Sequence, residues 1–147
     1  MNPTPSLGRL ISCIYRHTQT YLSRELMDYG IGSGQFSFLM VLQNNEGVSQ
    51  DHIAQALHID KATTTRALKK LEKAGYISRQ KDTADKRRYN VYLTEKGRDM
   101  YPVLLKISAE WTDLLLEGIS EEGKQQLFTM LTAVMNNATA EKRCLHE

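Results

Sequence analysis

Between residues 61 and 98 the chain places twelve basic side chains against four acidic ones. The basic groups are Lys61, Arg66, Lys69, Lys70, Lys73, Arg79, Lys81, Lys86, Arg87, Arg88, Lys96 and Arg98, and the acidic ones are Glu72, Asp82, Asp85 and Glu95. The net charge of this segment is therefore +8, while the other 109 residues carry −6. A basic segment in an otherwise acidic molecule has the chemistry of a polyanion contact, nucleic acid above all. A solvated lysine-rich helix beside a charged loop is the plainer reading of charge alone. Order within the segment adds to it. At 100° per residue, Thr64, Ala67, Leu68 and Leu71 form one buried stripe of a helix. Ala62, Thr65, Arg66, Lys69 and Lys73 fall opposite, with Thr63 and Lys70 on the flank. Small side chains near a helix start admit close approach to base edges, and lysines further along reach phosphates.

Other chemistries find less support. His17, His52, His58 and His146 show no metal spacing and no nucleophile–base pairing, so no catalytic or metal site and no enzyme is expected. Cys13 and Cys144 stand 131 positions apart and fit neither a disulfide framework nor a zinc cluster, which favours a reducing compartment. Arg9, Arg16 and His17 lie within a turn of Cys13 and could lower its pKa for redox sensing. The alternative is a small buried hydrophobe on a helix.

The elements that must position the basic face follow from periodicity and caps. Leu7, Leu10, Ile11, Ile14, Tyr21, Leu22, Leu26 and Tyr29 predict a helix over about 6–29, closed by Gly30, Gly32 and Gly34. Ser33 is expected to cap a second helix at about 34–44, with Phe36, Phe38, Leu39 and Leu42 inward. Ser49 caps a short third helix, and Asp60 a fourth that runs to Gly75. YISRQ and NVYLT alternate around the polar KDTADKRRY, which predicts a two-stranded hairpin over 76–94. A helix then runs from Thr94 and Glu95 to about 117, with Pro102 weakening or bending its first turns. A last helix covers about 121–139.

With 147 residues, 41% hydrophobic and 24% charged, the chain fits one ordinary globular domain, 1–147. The longest nearly apolar run, 36–42, is far short of a membrane span, and the start of the chain offers no signal-peptide core. No membrane partner is expected, and the expected compartment is the cytoplasm. Helix, short link, helix and hairpin in that order make a winged helix-turn-helix. The expected fold is mainly α (α+β). Its DNA-binding lobe spans about 34–97, with the helix-turn-helix at 49–73 and a two-stranded wing at 76–94. The helices at 6–29 and 98–140 have wide apolar faces and are expected to cover one another in a twofold dimer. A winged helix used only for protein contacts is the rival, and the lysines on the outer face argue against it.

From Ser49 to Gly97 the chain resembles the MarR (multiple antibiotic resistance regulator) family of winged helix-turn-helix transcription factors. Asp82, Asp85, Arg87, Leu93, Thr94, Lys96 and Gly97 meet the pattern D-x-x-D-x-R-x-x-x-x-x-L-T-x-K-G. Leu71, Glu72, Gly75, Ile77 and Arg79 meet L-E-x-x-G-x-I-x-R. Lys86 stands where an arginine is frequent, and Arg88 adds a further charge. The resemblance implies a homodimer on double-stranded DNA, acting as a ligand-responsive repressor at an inverted repeat. It puts Asp60, Lys61, Thr63, Thr65, Arg66, Lys69 and Lys70 toward the major groove and Lys86, Arg87 and Arg88 at the wing. Arg87 would enter a minor groove, oriented by Asp85, if the chain there is extended; Arg88 would then face away. The resemblance also implies a small aromatic acid or phenolic effector and no other cofactor. Arg16 would meet its carboxylate and Tyr15, His17 and Trp111 would wall it. Alternatively, Arg16 pairs with an acidic group across the dimer.

Overall fold

The computed structural model describes residues 4–144, with side chains described to residue 140. Among the described residues, seven α-helices and three short strands follow in the order α1 (Leu7–Leu26, continued by a 3-10 turn at Met27–Tyr29), α2 (Ser33–Leu42), β1 (Val48–Ser49), α3 (Gln50–Leu57), α4 (Lys61–Lys73), β2 (Ile77–Lys81), β3 (Tyr89–Leu93), α5 (Glu95–Asp99), α6 (Tyr101–Leu115) and α7 (Glu121–Cys144). The architecture is thus mainly α with a small antiparallel sheet. Contacts divide the chain into two compact units, the first closing at Trp111 and the second starting at Thr112.

The core of the first unit gathers the predicted stripes. Phe38, Leu39 and Leu42 of α2, Ala67, Leu68 and Leu71 of α4, Ile53 of α3, Val91 of β3 and Leu104 of α6 are all buried in one cluster. Truncating a fully buried leucine such as Leu68 to alanine costs about 2–5 kcal/mol in cores of this kind. Helix α1 divides along its length. Leu22 and Leu26 are buried, whereas Leu7, Leu10, Ile11 and Ile14, one stripe at helical spacing, are 42–56% exposed.

Caps fall largely where expected. Ser49 accepts from the His52 N–H at 3.1 Å and Asp60 from the Thr63 N–H at 2.8 Å. The cap of α2 differs. Gly32 is the N-cap and Ser33 the first helical residue, with Gln35 Oε1 accepting from the Gly32 N–H at 2.9 Å. The long polar side chain at the third position thus satisfies the cap's own N–H, while the Gln35 N–H donates to Gly32 O at 3.1 Å.

Three further elements depart from expectation. The sheet has three strands, because β1 pairs antiparallel with β3 (Val48↔Val91, Ser49↔Asn90) on the side opposite β2. The helix expected from Thr94 onward is two helices, α5 and α6, interrupted at Met100 two residues before Pro102. Proline has no N–H and clashes with the preceding turn, so it is tolerated only near a helix start, and Tyr101 begins a new one. In the second unit, α7 continues to Cys144. Leu114, Leu115, Ile119, Phe128, Leu131 and Met135 are at least 40% exposed there. Among the described residues, no helix is long and apolar enough to cross a membrane.

Candidate nucleic-acid interface

Helix α4 presents two chemically opposite faces. Thr64, Ala67, Leu68 and Leu71 are buried, while Lys61, Ala62, Arg66, Lys69, Lys70 and Lys73 are exposed and Thr63 and Thr65 are half-buried. The first turn carries a hydrogen-bonded chain. Asp60 Oδ2 accepts from Thr63 Oγ1 at 2.8 Å, and Thr63 Oγ1 in turn accepts from Arg66 Nη2 at 3.1 Å. The bonds from the Thr63 backbone and hydroxyl hold the Asp60 carboxyl below its usual pKa. The cap residue thereby fixes the threonine, and the threonine fixes the arginine. Lys61 leans on Asp51 of α3 at 3.6 Å.

Arg79 braces the arm to the helix pair. Its Nε and Nη2 donate to both oxygens of Glu72 at 3.1 and 3.2 Å, and Nη1 donates to Gln50 Oε1 at 3.0 Å. The guanidinium also lies 5.4 Å from the Tyr89 ring centroid. One side chain thus joins β2, β3, the end of α4 and the start of α3. This hydrogen bonding holds Glu72 below the usual carboxylate range, against a smaller opposing push from burial. Glu72 and Arg79 belong to the sequence pattern, but nothing in the sequence assigns them this bracing role.

The wing tip is a turn rather than an extended strand. Asp82 Oδ1 accepts from the Ala84 and Asp85 N–H groups at 2.7 and 3.1 Å, and Oδ2 accepts from Asn90 Nδ2 at 3.0 Å. The Arg88 N–H donates to Asp85 O, and the Asp82 N–H to Arg88 O, both at 2.9 Å. Asp85 and Arg87 do pair, with Arg87 Nε donating to Asp85 Oδ1 at 3.1 Å, but the turn brings them together and not strand alternation. The expectation that Arg87 and Arg88 face opposite ways as strand neighbours lapses with it. Lys86, Arg87 and Arg88 are all exposed, and Arg87 and Arg88 flank a small hollow beside Ser49, Gln50 and Asp51 at the start of α3. The wing arginines and the helix-turn-helix are therefore neighbours.

The residues expected to hold an effector are not assembled in the same way. Tyr15, Arg16 and His17 are exposed on α1, and Arg16 Nη1 donates to Ser12 Oγ at 2.6 Å. Trp111 stacks on Tyr21 with centroids 4.5 Å apart, and its Nε1 donates to Thr18 Oγ1 at 2.9 Å. It fastens α6 to α1. A cleft of about 480 Å³ lies elsewhere, beside Tyr29, Tyr76, Lys96, Asp99, Met100 and Val103, and none of the four residues lines it. Cys13 is a free, exposed thiol and not a buried hydrophobe, while the Cys144 side chain and His146 lie outside the described residues. Among the described residues, no cluster of His, Cys, Asp and Glu could hold a metal ion.

Two helices joined by a three-residue link, the second with a bare polar face, followed by a hairpin arm braced against them, define a winged helix-turn-helix. The MarR family model matches residues 31–89. The uncharacterized HTH-type transcriptional regulator YybA of Bacillus subtilis is 31% identical over 129 residues, which are 88% of this chain and 86% of YybA. A MarR transcriptional regulator from Methanosarcina mazei superposes with a TM-score of 0.87 at 40% identity, over 91% of this chain and 96% of that one. A MarR-family transcriptional regulator from Listeria monocytogenes, solved with a 26mer DNA, superposes with a TM-score of 0.86 at 28% identity, over 94% and 92%. The chain belongs to the MarR family of transcriptional regulators.

Proposed function

We propose that this chain is a sequence-specific DNA-binding repressor that acts as a homodimer on an inverted repeat and responds to a small ligand. The observation that carries the DNA reading is the Asp60–Thr63–Arg66 chain at the start of α4. It orders a planar, always-charged donor on an exposed helix face, which lowers the entropy lost when that donor meets a base edge. The wing adds Arg87, whose side chain is 90% exposed yet anchored. Such an arginine suits a narrow minor groove. Lys61, Thr65, Lys69 and Lys70 complete the major-groove face, and Lys86 and Arg88 face phosphates. The relative solved with DNA supports this use of the fold.

The dimer reading is supported by apolar surface. The α1 stripe of Leu7, Leu10, Ile11 and Ile14 and the exposed residues of the second unit each need cover, and a twofold partner supplies the same surface in return. A bound dimer represses by occupying its site. The working compartment is the cytoplasm, where that site is. An aromatic acid or phenol is the effector, with Arg16 as its carboxylate partner, because Arg16 pairs with no carboxylate among the described residues. Selection of bound duplexes from a random pool tests the whole reading. The expected product is an inverted repeat with half-sites about 10 base pairs apart. No enrichment, or an asymmetric site bound by one chain, would overturn it.

A further inference from the structure

The Thr94, Lys96 and Gly97 positions of the sequence pattern have no part in the interface described above, and their geometry gives them one. Helix α4 closes with Gly75 at φ +85°, the Tyr76 N–H donating to Leu71 O and the Gly75 N–H to Glu72 O, both at 3.0 Å. That arrangement satisfies two of the last carbonyls of the helix. The three carbonyls of Ala74, Gly75 and Tyr76 are taken by a single short segment. Lys96 Nζ donates to Ala74 O at 2.7 Å, Thr94 Oγ1 to Gly75 O at 2.6 Å, and the Thr94 N–H to Tyr76 O at 3.0 Å.

The first turn of α5 is thus clasped to the end of α4. Gly97 makes the approach possible, because a Cβ there would sit 2.1 Å from Tyr76 O. Gln43 Nε2 holds the Gly97 carbonyl from the other side at 2.9 Å. Within the clasp Lys96 is the one charged member. Its ammonium lies 4.4 Å from the centroid of the Tyr76 ring and at the negative end of the α4 dipole.

We propose that Lys96 is a positioning residue for DNA recognition: by bonding Ala74 O it fixes the direction in which α4 points. This rests on the reading of α4 as the helix that enters the groove. A helix of 13 residues is about 20 Å long, so a small tilt at its last turn is carried undiminished to Thr63 and Arg66 in its first two turns. Base-edge hydrogen bonds tolerate displacements of only about 0.5 Å, whereas phosphate contacts are forgiving. A loosened clasp therefore costs specific binding and spares non-specific binding.

The test compares the wild type, Lys96→Met and Lys96→Arg on the duplex recovered by selection and on a scrambled duplex of equal composition, at several salt concentrations. Lys96→Met keeps the aliphatic stem and loses the donor. It should weaken binding to the selected duplex about tenfold, as loss of one base contact would. Its affinity for the scrambled duplex and its salt slope should not change, and Lys96→Arg should restore the preference. Without DNA, hydrogen exchange in peptides covering 66–76 should be faster in Lys96→Met and normal in Lys96→Arg. Equal losses on both duplexes with a shallower salt slope would make Lys96 a direct phosphate contact and overturn the proposal. An unchanged preference would overturn it as well, and a wild type that does not discriminate between the duplexes would overturn the underlying reading of α4.

Discussion

Asp85 holds Arg87 at three points: its Oδ1 accepts from the backbone N–H and Nε of Arg87, each at 3.1 Å, and its Oδ2 accepts from Nη2 at 3.4 Å. The arginine is thereby ordered while its guanidinium stays in solvent. Arg87→Lys keeps the charge and loses the planar fork, so operator affinity should fall and any preference for A·T-rich flanks should relax. Asp85→Ala removes a negative charge, and simple electrostatics would tighten binding to all DNA. The anchoring geometry gives the opposite sign for operator DNA, because a free arginine must be ordered on contact. Titrating Asp85→Ala against operator and random duplexes decides between them. Equal strengthening on both would reduce Asp85 to a stray charge.

The same pair has a pH signature. Hydrogen bonds from the Arg87 side chain, then from its backbone, hold the Asp85 carboxyl below the usual carboxylate range. A depressed carboxylate contributes its ordering above the ordinary value, near 4, and loses it as pH falls through the lower folded value. Wing order should therefore be constant through neutral and mildly acidic pH and be lost only in strong acid. An NMR titration of the Asp85 carboxyl should show a midpoint below the ordinary value in the wild type. In Arg87→Gln that midpoint should move up toward it.

The proposed function predicts that base-reading and phosphate-binding roles separate on α4. Thr63→Ala breaks both links of the chain from Asp60 to Arg66, so it and Arg66→Ala should each change base preference, at about 1–3 kcal/mol on the selected site. Lys69→Ala should weaken binding to all sequences alike. Binding arrays across single-base variants of the operator measure both. A changed preference in Lys69→Ala with none in Arg66→Ala would reverse the assigned orientation of the helix.

Gly97→Ala should be severe for a reason independent of DNA. The new methyl group meets backbone, and a carbonyl cannot swing aside as a side-chain tip can. Overpacking of this kind costs about 1–3 kcal/mol. For a chain of this length each kcal/mol lowers the melting temperature by about 2–4 °C, which calorimetry resolves.

The division of α4 into a buried stripe and an exposed basic face is legible in the sequence because its signals are local. Asp60, the Thr64–Leu71 stripe and Gly75 act within one helix, and 3.6-residue periodicity reports them directly. What escaped depends on distant partners or on very short elements. Two residues, Val48 and Ser49, cannot carry a strand period, and they are strand only because β3 offers an open edge. The clasp on residues 74–76 joins segments some 20 positions apart, so Lys96 reads in sequence as one more basic residue. At the wing, the Asp85–Arg87 pairing was foreseen from their spacing on an extended chain. Asp82 instead folds the tip into a turn, since its carboxylate bonds the backbone two and three residues on. His58 left no sequence signal of its positive φ of 53°, because the short link between α3 and α4 imposes it.

The effector reading has its own test. A ligand releases the protein from DNA only by binding the DNA-incompetent arrangement more tightly. Salicylate-like acids should weaken operator binding, and Arg16→Ala should blunt that response while leaving DNA affinity intact. Unchanged operator affinity over a wide range of acid concentration would exclude this ligand class.

The central claim is that two copies of this chain read one duplex through a basic surface. Fluorescence anisotropy on the selected duplex across a range of salt, with stoichiometry determined at saturation, tests it most directly. Each neutralised phosphate contributes about −0.9 to the slope of log K against log salt, so several contacts per subunit give a steep, straight fall. The predicted result is that slope with two chains bound per duplex. A flat salt response, or one chain per duplex, would contradict the account.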